Sequence, residues 1–101
     1  MATLKVFWSQ TAIMQRRLIF EYWNERNKSY YYSRKLNTEI KNRLKTLQKN
    51  PDIGKLTYIE DVRTLSLGHF SIFYEYNSSS ILILSFWDNR QDPSMLLDSI
   101  T

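Results

Sequence analysis

Residues 62–87 read VRTLSLGHFSIFYEYNSSSILILSFW. Three runs rich in β-branched and aromatic residues, 62–67, 69–76 and 81–87, are punctuated by Gly68 and by the polar NSSS at 77–80. That pattern predicts three consecutive antiparallel strands joined by short turns. The last run opens on four successive aliphatic residues, which implies a strand covered on both faces and flanked by neighbours. Its place is therefore central, beside a further strand at LKVFW, 4–8, where Leu4, Val6 and Trp8 alternate with Lys5 and Phe7.

The residues between these strands read as helices. Ser9 is an N-cap candidate, and the segment from there to about Glu25 has no glycine or proline. Ala12, Ile13, Ile19, Phe20 and Trp23 fall on one broad face, and Met14, Leu18 and Tyr22 on another, which implies two neighbours. NERNKS, 24–29, interrupts the pattern, and Ser29 is positioned to cap a second helix. Leu36, Ile40, Leu44 and Leu47 then form one narrow stripe, with Arg34, Lys41, Lys45 and Lys49 on the outer side. Asn50, Pro51 and Gly54 end it, and PDIGKLTYIED reads as a loop. The sum is an α+β fold of order β-α-α-β-β-β, a helical hairpin packed on a largely antiparallel four-stranded sheet.

With 101 residues the chain makes one domain, its core at about 3–93 followed by a short tail that Pro93 turns away from the sheet. The absence of cysteine and the single histidine exclude thiolate and histidine-cluster metal sites, so no cofactor is expected. No leader pattern and no apolar run approaching a membrane span are present, which points to a cytoplasmic protein with no membrane partner. The net charge is +4, with most cations before Gly54 and most acids after Asn50. Such an excess permits a nucleic-acid or acidic protein partner without requiring one.

LKVFWS, FEYWNERN, QKNPDIGK, VRTLSLGHFSIFYEY and ILILSFWDNRQDP, taken in this order over residues 3–93, resemble the RelE/ParE superfamily of bacterial toxins. The resemblance implies the toxin of a type II toxin-antitoxin module, neutralised by a cognate antitoxin protein that wraps around it. It implies one of two targets: mRNA on the ribosome, cleaved by RelE-like members, or DNA gyrase, poisoned by ParE-like members. The alternative is a non-toxic RelE-fold module that binds an antitoxin or RNA. RelE-like nucleases show a pattern like R-x-L-x-V-G-x-Y-R-x-x-Y on the hairpin and H-R-x-x-x-Y after the last strand. Arg63, Leu65, Gly68, Tyr74 and Arg90 match it, whereas Ser71 stands where the hairpin arginine is expected and Asn89 where the histidine is. The tyrosine of the second pattern is also missing, with Pro93 and Ser94 in its place.

Candidate site residues follow. Arg90 and Arg63 are the cations placed to meet a phosphate, and His69, with an ordinary pKa of about 6.5, is the proton carrier nearest the turn. Each has a bland counterpart: an ion pair of Arg90 with Asp88 or Asp92, a strand-bracing arginine at 63, a solvated histidine. Lys49, Lys55, Asp88, Asn89, Gln91 and Tyr74 complete the set as substrate- or partner-binding residues. The run Tyr30, Tyr31, Tyr32 suits base stacking or, more simply, a protein interface.

Overall fold

A computed structural model of the chain describes residues 3–100, apart from the side chains at 97 and 99. The elements are β1 (Lys5–Trp8), α1 (Gln10–Asn27), α2 (Tyr31–Lys49), β2 (Lys55–Leu56), β3 (Arg63–Leu67), β4 (Phe70–Tyr76) and β5 (Ser80–Asp88). A 3-10 turn (Pro93–Met95) and α3 (Leu96–Ile100) follow. The strands form one sheet in the order β1-β5-β4-β3-β2, with β1 parallel to β5 and every other pair antiparallel. The four expected strands are thus joined by a fifth. β2 has only two residues, so it leaves no periodic signal within the loop where it lies.

Local chemistry fixes the ends of the elements. The Ser9 hydroxyl accepts the Ala12 N–H at 3.0 Å and starts α1. Lys28, in the left-handed region at φ 52°, stops it two residues later than the sequence pattern suggests. Tyr30 takes the N-cap position of α2, one residue beyond the expected Ser29, whose hydroxyl still accepts the Tyr31 N–H at 3.1 Å. Gly68 and His69 make the β3–β4 turn, and Gly68 supplies its positive φ of 60°. In the β4–β5 turn the Asn77 carboxamide oxygen accepts the N–H groups of Ser79 and Ser80, both at 2.9 Å.

The helical hairpin covers one face of the sheet. Leu36, Ile40 and Leu47 of α2 are buried with Ala12 of α1 against Phe70, Ile72, Tyr74, Ile81, Ile83 and Phe86, and Leu44 packs at the edge of this core. The second apolar face expected of α1 is not buried against another element among the described residues: Met14, Leu18 and Tyr22 are exposed. A smaller cluster fills part of the opposite face, where Val62, Phe73 and Trp87 are buried under Ile59, Leu96 and Ile100. The tail therefore does not leave the sheet after Pro93. Asp92 accepts the Ser94 N–H at 3.0 Å and starts a turn that folds α3 back over Trp87.

β5 serves both cores, and a bulge resets its alternation partway along. The pairs Phe73↔Ser85 and Tyr74↔Ile83 leave Leu84 as an extra residue. Ile81 and Ile83 face the helices before it, and Phe86 faces them after it, while Leu84 and Trp87 serve the far side. No helix among the described residues is long and apolar enough to cross a membrane.

Lys28→Gly tests the termination of α1, because a left-handed backbone disfavours any residue with a Cβ. Its ion pair with Glu25 is exposed and contributes little. The substitution is expected to stabilise the domain by about 0.5–1 kcal/mol in urea denaturation.

Candidate functional site

The nine candidate residues divide between two ends of the sheet. The register Leu67↔Phe70 through Arg63↔Tyr74 puts His69 at the tip of the β3–β4 hairpin and Arg63 at its base, roughly 17 Å away along a five-residue strand. One centre containing Arg90, Arg63 and His69 is therefore not formed. His69, Asp88, Asn89, Arg90 and Gln91 gather at the tip, whereas Arg63, Tyr74, Lys55 and Lys49 lie toward the base.

At the base, the groups are structural ties. Tyr74 is fully buried; its hydroxyl donates to the Pro51 carbonyl at 2.8 Å and accepts the Gly54 N–H at 2.9 Å. Burial raises its pKa above the ordinary 10.0, against the lowering effect of the Gly54 hydrogen bond. Gly54 must be glycine here, since a Cβ would lie 2.5 Å from the Tyr74 hydroxyl oxygen. Arg63 donates through Nη1 to the carbonyls of Gly54 at 2.8 Å and Asp52 at 3.1 Å. Tyr74 and Arg63, cross-strand partners, thus clamp the 51–54 turn to the sheet. Tyr74 has no exposed surface, and Arg63 braces the turn through these two carbonyls. Lys55 is exposed on β2 opposite Thr64, and Lys49 is the exposed last residue of α2.

At the tip, Arg90 is held in place. Its Nε and Nη2 donate to the two Asp88 carboxylate oxygens at 2.9 and 2.8 Å, and its backbone N–H donates to the same carboxylate at 2.9 Å. The guanidinium also lies 5.3 Å from the Trp23 ring centroid and 5.9 Å from that of Phe70. Hydrogen bonding from Arg90 lowers the Asp88 pKa below its ordinary 3.8, with a smaller contribution from the charge of His69. His69 is exposed, and among the described residues no hydrogen bond orients its imidazole. Its carbonyl accepts the Asn89 N–H at 2.8 Å. Gln91 borders a cleft of about 290 Å³ between α1 and the end of β5, with Tyr22, Trp23 and Phe86.

Ser71 and Asn89 meet at this end. The Ser71 hydroxyl donates to the Asn89 carboxamide oxygen at 2.8 Å across the β4–β5 pairing. Two of the positions where the sequence departs from the nuclease pattern are therefore neighbours in space. They form one neutral pair at two positions for which the resemblance implies an arginine and a histidine.

A surface that the sequence reading assembled only in part lies on the helical hairpin. Ile13, Arg16, Arg17 and Phe20 of α1 face Tyr30, Ser33 and Arg34 at the start of α2 across a groove of about 620 Å³. Arg34 and Tyr30 had stood out in the sequence. Of their α1 counterparts, Ile13 was expected on the buried apolar face with Ala12 and is instead 46% exposed, and Arg16 and Arg17 follow it three and four residues on.

Comparison with known families and structures adds three findings. The model of a family described as the ParE toxin of type II toxin-antitoxin system, parDE, matches residues 6–93. Among solved structures, one described as "Chromosomal ParDE TA system from P. aeruginosa" superposes with a TM-score of 0.71. It is 22% identical in sequence, the match covering 85% of this chain and 96% of that one, a likeness of fold. Comparison with curated proteins finds no match.

Two substitutions test the division into a structural base and a tip. Tyr74→Phe leaves the buried Gly54 N–H without its acceptor and is expected to cost about 1–3 kcal/mol in urea denaturation. Asp88→Asn probes the tip through pH. A carboxylate with a lowered folded pKa stabilises the protein above its unfolded pKa, and that stability is lost as pH falls through the folded pKa. The melting-temperature gap between parent and Asp88→Asn should hold from neutral pH to about 5, then close in stronger acid. A gap that persists at pH 2 would contradict the Arg90 assignment.

Proposed function

Because the chain belongs to the ParE toxin family of type II toxin-antitoxin systems, we propose that it is a growth-inhibiting toxin, silenced by a cognate antitoxin protein, that poisons DNA gyrase by binding it rather than cutting mRNA on the ribosome. One observation carries the choice of target: the neutral Ser71–Asn89 pair at the hairpin tip. Cleavage of RNA by its own 2′-hydroxyl builds negative charge at phosphorus and requires a proton to be taken and another given. The tip supplies little of either. Arg90 is a cation whose charge Asp88 already balances, and His69 has no partner among the described residues to fix its imidazole. A binding mode of inhibition needs neither group to react. It needs a stable surface, and the clamped Arg63–Tyr74 base and the Arg90–Asp88 tip provide rigid ends for one.

Induction of the chain without its antitoxin tests this reading. Growth should stop, supercoiling by purified gyrase should fall when the protein is added, and the 5′ ends of cellular mRNA should stay as they were. New 5′ ends at ribosome-occupied codons, with supercoiling unchanged, would assign the chain to the nucleases. Uninterrupted growth would favour the non-toxic module.

A further inference from the structure

We infer that the outer face of α2 is a phosphate-binding face that tracks the backbone of duplex DNA, so that the chain meets gyrase together with the DNA gyrase holds; the choice of DNA rests on the gyrase reading above. The positive charge of the whole chain resides on this one helix. Six of the fourteen lysines and arginines, Arg34, Lys35, Lys41, Arg43, Lys45 and Lys49, lie on α2 with Glu39 as its only acid, which leaves the rest of the chain slightly acidic. All six are exposed.

No acid within the described fold neutralises these charges. The ion pairs among the described residues are Arg17–Glu21, Lys28–Glu25 and Arg90–Asp88, none of them on α2. Arg34 lies over the Tyr30 ring at 5.9 Å, which orients its guanidinium and leaves the N–H edges free for an anion. Like charges four residues apart on a helix repel, as Lys41 and Lys45 do, and an anion between them relieves that cost.

The rest of the face decides the class of partner. Arg34, Thr38, Lys41, Asn42, Lys45 and Lys49 follow one another on the side opposite the buried stripe, and from Arg34 to Lys49 no apolar side chain stands among them. A protein partner is anchored through apolar and aromatic pockets at the centre of its interface, and this face offers none. A phosphate backbone asks for donors and positive charge alone. A membrane surface needs the apolar side of the helix as well, and here Leu36, Ile40 and Leu47 are buried in the core. Four of the six cations are lysines, compact charges that neutralise phosphate without the bidentate geometry by which arginine reads a guanine edge, so the contact is independent of sequence. From Arg34 to Lys49 the helix rises roughly 22 Å, the length over which one strand of a duplex presents about six phosphates. A gyrase poison with such a face is held at the enzyme's substrate as well as at the enzyme, and two weak contacts act as one tight one.

The test uses the intact chain, a fluorescent DNA duplex read by anisotropy at rising salt, and supercoiling by purified gyrase. The parent should bind the duplex with a log–log salt slope of about −3 to −4, as three or four neutralised phosphates give. Lys41→Glu with Lys45→Glu should melt as the parent does and lose about two units of that slope. It should bind the duplex on the order of 10-fold more weakly at moderate salt and require on the order of 10-fold more protein to stop supercoiling. Lys5→Glu with Lys28→Glu, the same change of net charge placed off α2, should stay within about threefold of the parent in both measurements. Equal losses in the two double variants would mean that net charge alone matters and would overturn the assignment. So would a Lys41→Glu, Lys45→Glu variant that binds the duplex and inhibits gyrase as the parent does. Full inhibition by a variant that no longer binds the duplex would place the whole contact on the gyrase protein, and tighter binding of the parent to single-stranded RNA than to the duplex would give the face to RNA; either result overturns it. A parent that binds the duplex but leaves supercoiling untouched overturns the gyrase reading, and the phosphate-binding face then stands on the anisotropy alone.

Discussion

Much of this structure depends on one extra residue in its central strand. A β-strand exposes alternate side chains to opposite faces, so a strand of strict period cannot give Ile81, Ile83 and Phe86 to the same core. Insertion of Leu84 at the bulge resets the alternation and makes it possible. It also sends Trp87 to the far face, where it anchors the smaller cluster and gives α3 something to cover. Beyond it, Asn89 reaches Ser71 while Arg90 returns over Phe70 and Trp23. A strand without the bulge would exchange the faces of everything after Ile83, and the tip would be built from other side chains.

The parts of the fold legible in the sequence are those with a regular period. Leu36, Ile40, Leu44 and Leu47 repeat as a helix does, and nothing in the tertiary structure contradicts them. Gly68 sits where a hairpin turn requires a positive φ, and Ser9 sits where a helix requires an acceptor. The bulge was not legible because an aliphatic run buried on both faces looks the same with or without a change of parity. The tail was misread for a related reason: Asp92 and Pro93 end a strand and equally begin a helical turn. Only the apolar shelter of Trp87 and Phe73 selects the second outcome, and that shelter comes from elsewhere in the chain.

Candidate site residues were legible as a set of types and illegible as an arrangement. Arginine, histidine and tyrosine are the residues from which an RNA-cleaving site is built, and all were present. Whether Arg63 faces a ligand depends on the carbonyls of Asp52 and Gly54, about ten residues away in sequence. Those carbonyls are presented by a turn whose position Tyr74 fixes, so the fate of one residue follows from the burial of another. The departures at Ser71 and Asn89 were each visible in the sequence. Their mutual hydrogen bond follows from the β4–β5 register and from nothing local.

Charge is where the linear sequence and the folded molecule agree most directly. Cations crowd the first half of the chain and acids the second, and folding does not mix them. The ion pairs found among the described residues, Arg17–Glu21, Lys28–Glu25 and Arg90–Asp88, join residues only two to four positions apart. None links the helical hairpin to the sheet half. Much of the segregation survives in space: a basic hairpin on one side and, on the other face of the sheet, a recess bordered by Asp61 and Glu75 together with Arg63, Phe7 and Leu82. Charge separated in this way gives a domain a long-range field, which in general affects the approach of charged partners and is screened by salt. Long-range ion pairs would brace the fold at the expense of that field. In their place the fold relies on a bulged central strand, two apolar clusters and a tyrosine clamp, none of which draws on the hairpin's cations.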